Sequence, residues 1–190
     1  MNIELVKYLK LAGVKFVRIT FCDNANVIRA KAIHTGILPD NLEYPTGVTV
    51  AQQGCPVMHD TVASQSGLSP VGEAWLTPDW STLRILPYAP THARVIADFS
   101  RDGQPWSLCP RNFLKRAIAA AQQMGIEVMA AFENEFSLLS SNNEQIVPTD
   151  DTVFASSLSI DLNREIIDAI TDALIAQEII VERYSNRQGG

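Results

Sequence analysis

The hydrophobic pattern of the chain changes near residue 105. Before that point, short segments rich in β-branched and aromatic residues are separated by turns. After it, helical stripes alternate with strand-like runs. The sequence therefore predicts an α+β protein, with a first unit that ends near residue 105 and a second unit of different pattern.

The first segments predict a short helix followed by a β-hairpin. Residues 3–12 have apolar side chains at helical spacing, and Gly13 is the residue type that most readily ends a helix. Residues 14–21 and 27–34 have strand composition, and residues 23–26 are typical turn residues. We expect the two strands to pair across that turn.

A long, weakly patterned stretch follows the hairpin. Residues 35–79 are rich in Gly, Pro, Ser and Gln, which indicates a loop with one short strand near residues 48–50. Strands are expected again at residues 82–86 and 93–99, and residues 101–105 form a turn. A loop of this length inside a compact domain is typically functional or disordered.

The second part of the chain predicts alternating helices and strands. Pro110 begins a helix that ends at Gly125, because proline favours the first turn and glycine the end of a helix. Apolar residues then alternate over residues 126–139, which predicts a strand with one polar face. A helix at about residues 160–177 and a strand at 179–184 complete the pattern.

Two carboxylates lie on the polar face of the strand predicted at residues 126–139. Glu133 and Glu135 are two residues apart, so their side chains leave the same face with Cα atoms about 6–7 Å apart. Such a pair suits hard divalent cations, which prefer carboxylate oxygens and leave room for water and phosphate. A solvated face of the sheet explains the same pattern, and the spacing alone leaves both interpretations open.

Composition and charge exclude several classes of protein. The chain has 15 Lys and Arg against 21 Asp and Glu, a net charge of −6, so it lacks the basic field of a nucleic-acid-binding protein. Its three cysteines are widely spaced, which predicts reduced thiols and no zinc site. The amphipathic N-terminus and the absence of an apolar run of about 18 residues predict a cytoplasmic protein with no membrane segment.

Five segments resemble, in order, motifs of the glutamine synthetase family. The first is the hairpin sequence VKFVRITFCD at residues 14–23, followed by a Pro-Asp-x-x-Thr stretch within TPDWSTLRILPY at residues 77–88. The others are DGQP at 102–105, PR at 110–111 and FENEF at 132–136, which is similar to the Glu-x-Glu-Phe strand of the catalytic domain. Five matches in order are more specific than any single motif, and they cover nearly the whole chain.

The resemblance implies a fold and a reaction. It implies a β-grasp-like N-terminal domain with a short leading helix at residues 1–106, and the beginning of an antiparallel catalytic domain at 107–190. Glu133 and Glu135 would each bind one of two divalent metals, Mg²⁺ or Mn²⁺. With ATP as co-substrate, the side-chain carboxylate of glutamate would be phosphorylated and then attacked by ammonia or an organic amine. Full-length members are expected to form homo-oligomers in which the N-terminal domain of one subunit meets the catalytic domain of the next.

The sequence departs from the family pattern at two positions. Ala51 stands where the family has an Asp that helps to bind ammonium, so an organic amine competes with ammonia as the expected substrate. Arg187 stands where a further metal-binding Glu is expected, and family members are usually more than twice as long. We therefore expect an N-terminal portion of a ligase that is inactive alone. The alternatives are a γ-glutamyl-amine ligase, a non-catalytic module that associates with full-length relatives, and a β-grasp binding domain related only by descent.

Overall fold

The computed structural model describes residues 2–39, 42–44, 46–58, 61–142 and 145–186. The chain divides into two compact units, Met1–Val128 and Met129–Gly190. Both helices and sheets are present, so the predicted α+β class is confirmed. Within the described part of the chain, no helix combines the length and the apolar character that a membrane span requires.

The first unit begins with the predicted helix and hairpin. Helix α1 spans Asn2–Leu11 and is followed by Gly13, whose φ of 76° lies in the left-handed region that glycine tolerates best. Strands β1, Phe16–Cys22, and β2, Ile28–His34, pair in antiparallel register. These predictions from local sequence are confirmed.

The stretch predicted as a long loop contains more structure than expected. Strand β3 spans Thr46–Thr49, close to the predicted short strand, and the 3-10 turn Val50–Gly54 follows it directly. A second 3-10 turn lies at Ser64–Ser66. Strand β4 spans Glu73–Leu86, so the prediction that the loop continues to residue 79 is wrong. The reason is long-range pairing, since the first residues of β4 pair with both β3 and β5.

Six strands form one mixed sheet in the described part of the first unit. Strand β5 spans Ala89–Arg101, and the two-residue strand β6, Gln104–Pro105, pairs with its end. The other strands lie in the order β2-β1-β5-β4-β3. The β1 and β5 strands are parallel and adjacent, whereas the other neighbours are antiparallel.

The hydrophobic core lies on one face of this sheet. Along β1 and most of β5, buried residues alternate with half-buried ones, as expected for strands with one covered face. The core face contributes residues such as Ile19, Val95 and Phe99, and α1 packs against it through Val6 and Leu9. The opposite face carries mostly polar and charged residues, such as Arg18, Arg94 and Asp98.

The second helix of the chain completes the first unit. Helix α2 spans Pro110–Gln123, with Cys109 as its N-cap and with Gly125 in the left-handed conformation just beyond its end. The sulfur of Cys109 accepts hydrogen bonds from the backbone N–H groups of Phe99 and Asn112, which attaches the start of α2 to β5. The predicted helix is confirmed, although much of its apolar stripe is exposed, with Phe113 at 65%.

The described residues of the second unit form a small hairpin and one helix. Strands β7, Leu139–Asn142, and β8, Gln145–Pro148, pair antiparallel, and helix α3 spans Ser157–Ile175, close to the predicted helix. The predicted strand over 126–139 is wrong, because residues 126–138 have no regular secondary structure and β7 begins only at residue 139. The strand predicted at 179–184 is likewise not formed.

These two errors have one physical cause. A strand is stabilised by hydrogen bonds to a neighbouring strand, and alternating side chains alone do not provide them. Within the described part of the chain, no strand pairs with residues 126–138 or 179–184. Both segments have the composition of strands, but no ladder of strand hydrogen bonds to them is found in the described residues.

Candidate functional site

The predicted metal ligands lie in the irregular segment before β7. Glu133 and Glu135 are both exposed, and so are the flanking aromatic residues Phe132, at 89%, and Phe136. The strand that would have fixed the two carboxylates on one face is not formed here. Their proximity therefore rests on the sequence spacing and not on a sheet.

The described residues fit only part of a two-metal site. No group of three or more His, Cys, Asp or Glu side chains is arranged to hold a metal ion among them. Arg187, where the resemblance places a further ligand, lies outside the described residues. Mg²⁺ is often held by one or two carboxylates together with water and phosphate, so the donor chemistry of Glu133 and Glu135 is suitable. Their role as metal ligands stays a prediction.

The 3-10 turn Val50–Gly54 contains Ala51, the position at which the resemblance leads us to expect an ammonium-binding Asp. Ala51 is buried there, its N–H donates to the hydroxyl of Thr49, and its carbonyl accepts from the thiol of Cys55. A methyl side chain supplies no charge to attract a cation. The turn is therefore held in place by neighbours on both sides, with no carboxylate at position 51.

A buried amide lies in the same turn. Gln53 is only 3% exposed, and neither polar atom of its side chain has a hydrogen-bond partner among the described residues. The Oε1 atom of Gln52 is also buried without a partner in that part of the chain. A buried amide without a hydrogen bond destabilises the folded state by about 1–3 kcal/mol, so a ligand or chain that supplied hydrogen bonds to these groups would be stabilising. Sequence reasoning missed them, and the signal was two glutamines directly after an apolar run.

Two of the quoted motifs meet in an ion-pair network. Arg111, from the Pro-Arg motif, donates to Asp79, from the Pro-Asp motif, at 2.6 Å and to Asp98 at 2.9 Å. Lys115 lies 2.5 Å from the second oxygen of Asp98. The hydrogen bond from Ser81 and that from Arg111 lower the pKa of Asp79. This network joins α2 to β4 and β5, and we assign it a structural role.

The Arg111 guanidinium responds to the same contacts. Burial by itself would lower its pKa, but the hydrogen bonds and charges of Asp79 and Asp98 outweigh burial and raise that pKa. Arginine is charged at all relevant pH values in any case. Arg111 therefore keeps its charge, and acid acts on the Arg111–Asp79 ion pair through the carboxylate of Asp79.

Asp150 is similarly engaged within the second unit. Its carboxylate accepts from the hydroxyl and N–H of Thr152, from the hydroxyl of Ser159 and from the side-chain amide of Asn163. These bonds, first that of the Thr152 hydroxyl and then that of Asn163, lower its pKa. Ser159 and Asn163 belong to the first turns of α3, so Asp150 anchors that helix to the preceding loop.

The environment of Cys22 disfavours the thiolate form of its side chain. Burial, followed by the nearby charges of Asp23 and Cys109, raises the pKa of the Cys22 thiol. A raised pKa reduces the thiolate fraction and hence the reactivity. All three cysteines are free thiols, as predicted.

The sequence matches two models of one protein family. Residues 1–106 match the glutamine synthetase N-terminal domain, and residues 107–187 match the glutamine synthetase catalytic domain. Among curated proteins, type-1 glutamine synthetase 1 of Dictyostelium discoideum is 32% identical over 93% of this chain and 40% of its own length. A glutamate–isopropylamine ligase of a Pseudomonas species is 43% identical over 35% of this chain and 15% of its own length.

The fold also matches solved structures. A crystal structure described as a novel glutamine synthase homolog aligns with a TM-score of 0.70 at 17% identity, covering 93% of this chain and 41% of that chain. A GmaS/ADP complex aligns with a TM-score of 0.68 at 20% identity over 92% of this chain and 39% of that chain. The chain thus spans about 40% of the length of the type-1 relative and of these structures. On the strength of the two family models, which together match residues 1–187, the chain belongs to the glutamine synthetase family.

Proposed function

We propose that this chain carries the N-terminal domain and the opening of the catalytic domain of an ATP-dependent ligase. The ligase joins the side-chain carboxylate of glutamate to ammonia or to an organic amine. The observation that carries this proposal is the ordered match of both family domains over residues 1–187, together with relatives named as glutamine synthetases. A domain boundary near residues 106 and 107, a cytoplasmic location and assembly into a homo-oligomer belong to the same proposal.

The sheet topology supports a β-grasp assignment for the first domain. Its first and last long strands, β1 and β5, are parallel neighbours in the middle of a mixed sheet. Antiparallel strands flank this pair on both sides, and α1 covers the core face. We include the β-grasp type in the proposal on this ground.

The proposed metal ligands are Glu133 and Glu135. Their carboxylates would hold divalent Mg²⁺ or Mn²⁺, and a bound metal would neutralise charge on the phosphates of ATP and on the carboxylate of glutamate. Glutamate would first be phosphorylated by ATP, and the amine would then displace phosphate to give the amide. In this proposal, the two side chains of this chain bind and orient, and they transfer no proton.

The proposal is tested by measuring ligase activity twice, first with the 190-residue chain alone and then with the chain mixed with a C-terminal part of a relative. We expect the 190-residue chain to release no phosphate from ATP in the presence of glutamate and ammonia above a Glu133→Ala control, since it offers only two of the expected carboxylates. The chain is then mixed with the C-terminal part of the Dictyostelium relative that extends beyond the region matched here.

Two outcomes of the mixing experiment decide the proposal. Formation of a γ-glutamyl product that is lost with Glu133→Ala supports a ligase role. A stable complex of the two parts that produces no amide would instead support a non-catalytic module that associates with full-length relatives. Activity of the chain alone would contradict the expected inactivity but not the ligase assignment.

An organic amine is the second candidate for the nucleophile. Ala51 provides no charge in the turn Val50–Gly54, whereas the Gln53 amide and the Oε1 atom of Gln52 are buried without partners among the described residues. Amide oxygens accept hydrogen bonds from an amine but attract an ammonium ion less than a carboxylate does. Relatives include a glutamate–isopropylamine ligase and a gamma-glutamylanilide synthase of an Acinetobacter species.

The two nucleophiles are distinguished by competition in the complemented enzyme. If the amine interpretation holds, isopropylamine gives a higher kcat/KM than ammonia, and Ala51→Asp reverses the preference. Preference for ammonia in the unsubstituted chain would exclude the amine interpretation.

A further inference from the structure

Helices α2 and α3 each carry a stripe of exposed apolar side chains. Each stripe contains three large residues, which are Phe113, Leu114 and Ile118 on α2 and Leu158, Leu162 and Ile166 on α3. All six are between 45% and 65% exposed. A helix of a globular protein normally buries such a stripe against another element. We call these surfaces the α2 stripe and the α3 stripe.

The two stripes have complementary shapes. The residues of the α3 stripe follow one another at intervals of four, so they form a single ridge along the helix. On α2, the small residues Ala117 and Ala121 lie four and eight positions after Phe113 and leave a groove beside Ile118. Ridges of side chains on one helix pack into the grooves of another. The α3 ridge therefore suits the groove of the α2 stripe.

A row of carboxylates adjoins the α3 stripe. The row consists of four exposed residues, Asp161, Glu165, Asp168 and Asp172. Their spacing of four, three and four places them along one side of the helix, and the first two each follow a leucine of the stripe by three residues. Among the residues that the structure describes, none of the four forms an ion pair. Like charges at these spacings destabilise a helix, so a cation beside this acidic row would stabilise α3.

Arg116 places a cation beside the α2 stripe. Its guanidinium lies 5.8 Å from the centroid of the Phe113 ring, and it forms no ion pair within the described part of the chain. Arg111 and Lys115, the other cations of α2, pair with carboxylates of the main sheet. Helix α2 itself contains no acidic residue. The charge next to its stripe is therefore positive.

We propose that α2 of one copy of the chain packs against α3 of a second copy, with the two stripes in contact and Arg116 beside the acidic row. The charges favour this pairing over the alternatives. Two α2 helices would bring only cations together, and two α3 helices would bring two acidic rows together. The contact joins two different surfaces and is therefore heterologous. It does not depend on the ligase proposal.

The test reverses one charge on each helix of the 190-residue chain. Arg116→Glu and Glu165→Lys each place like charges across the proposed contact, so each should weaken self-association about fivefold, the scale of an exposed ion pair. Sedimentation equilibrium over a range of concentrations gives the dissociation constants. Arg164→Glu makes the same charge change as Arg116→Glu at an exposed position on the other side of α3, and it should leave the constant unchanged.

Mixing the two weakened variants separates a specific contact from an effect of net charge. In an equal mixture, the acidic side chain introduced on α2 of one variant meets the basic side chain introduced on α3 of the other. The second pairing, between the unchanged helices, is the native one. The mixture should therefore associate more tightly than either variant alone. A chain that carries both substitutions keeps the net charge of the wild type and should also regain affinity.

The apolar part of the contact is tested separately. Leu162→Ser should weaken association, whereas Val153→Ser, at an exposed apolar position before α3, should not. Thermal melts of each variant identify any that fail to fold. A wild-type chain that stays monomeric at every concentration would overturn the proposal. A mixture that associates no more tightly than its two components would do so as well, because the charges would then not face each other.

Discussion

At the scale of single residues, Asp23 shows how a turn is fixed by a buried charge. Its carboxylate accepts from the N–H groups of Ala25 and Val27 at 3.0 and 2.8 Å and from the Nε of Arg29 at 2.6 Å, and the residue is only 1% exposed. The turn residues were evident from the sequence. The burial of the carboxylate was not, because it depends on the sheet packed around the turn.

We predict that Asp23→Ala destabilises the chain by about 2–4 kcal/mol, since it removes three acceptor contacts, one of which is the ion pair with Arg29. Asp23→Asn should cost less, because it keeps an oxygen for the two N–H groups. Urea unfolding measures both. The exposed control Asp168→Ala should change stability by less than about 0.5 kcal/mol. An equal cost for Ala and Asn would mean that the turn hydrogen bonds contribute little.

Glu133 and Glu135 carry a second prediction at this scale. They should form a weak divalent site, and replacing either by Gln should reduce Mn²⁺ affinity sharply, because a charge and much of the Coulombic attraction are lost. Paramagnetic broadening of nearby resonances measures the binding. Glu127→Gln, an exposed change in the same irregular segment, serves as the control. Identical broadening in all four proteins would rule the site out.

At the scale of elements, local patterns predicted the helices and the first hairpin, and long-range pairing determined the rest. β1 and β2 are joined by a short turn, so sequence-local rules suffice for them. β4 was missed in part because its first residues follow a Gly- and Pro-rich stretch and include Pro78. The alternation of apolar and polar side chains over residues 126–138 predicts a strand with one apolar face. A strand also needs a neighbouring strand for its hydrogen bonds, and side-chain alternation does not predict one.

In the candidate site too, local sequence patterns predict some features, and long-range contacts determine the others. The motif residues Asp79 and Arg111 were noted in the sequence, but their contact joins positions 32 residues apart and followed from no local rule. Gln53 was missed for a similar reason, because its burial depends on the packing around the 3-10 turn. The sequence therefore shows which residue types are available for a site. Which side chains contact each other, and which are buried, is determined by the tertiary structure.

The attachment of α2 to the sheet gives a pH-dependent prediction. Arg111→Met should destabilise the chain by about 1–2 kcal/mol at neutral pH, a modest value because the network is partly exposed. The pKa of Asp79 is lowered in the folded state, so its contribution is complete above the unfolded pKa of about 3.9 and is lost as the pH falls through the lower folded value. The stability difference between the two proteins should therefore narrow in acid.

Denaturant midpoints from neutral pH down to about pH 3, around the unfolded pKa of Asp, measure this difference. Arg116→Met is the matched control, since Arg116 lies on the same helix and its guanidinium contacts only the Phe113 ring, at 5.8 Å, among the interactions described. A gap between wild type and Arg111→Met that stays constant with pH would show that Asp79 does not carry the interaction.

At the scale of the whole molecule, exposed apolar side chains recur in three segments. They lie along α2, in residues 126–138 and along α3, where Leu162 is 59% exposed. Apolar surface favours burial by about 25 cal/mol for each Å² removed from water. Exposure of several large apolar side chains therefore favours association of this chain with other protein surfaces.

We predict that the 190-residue chain self-associates, whereas a version that ends at Ser107 is monomeric, because the shorter version lacks all three segments. It should also melt at a lower temperature than the first unit in the full chain, since it loses the Cys109 cap and the Arg111 ion pairs. Size-exclusion chromatography with light scattering gives the masses. A monomeric full chain with one cooperative melt would show that these apolar segments do not drive association.

The parallel pairing of β1 with β5 has a consequence for synthesis on the ribosome. The Arg18 side chain and its partner His92 are 74 residues apart, so β1 lacks its central neighbour until β5 has been made. During that interval α1, the β1–β2 hairpin and the β3–β4 pair can form, but none of them covers the free edge of β1, and an isolated hairpin is marginal in water. The nascent chain therefore exposes one open strand edge for most of the translation of the first unit. That edge is the segment of the newly made chain most in need of protection by a chaperone.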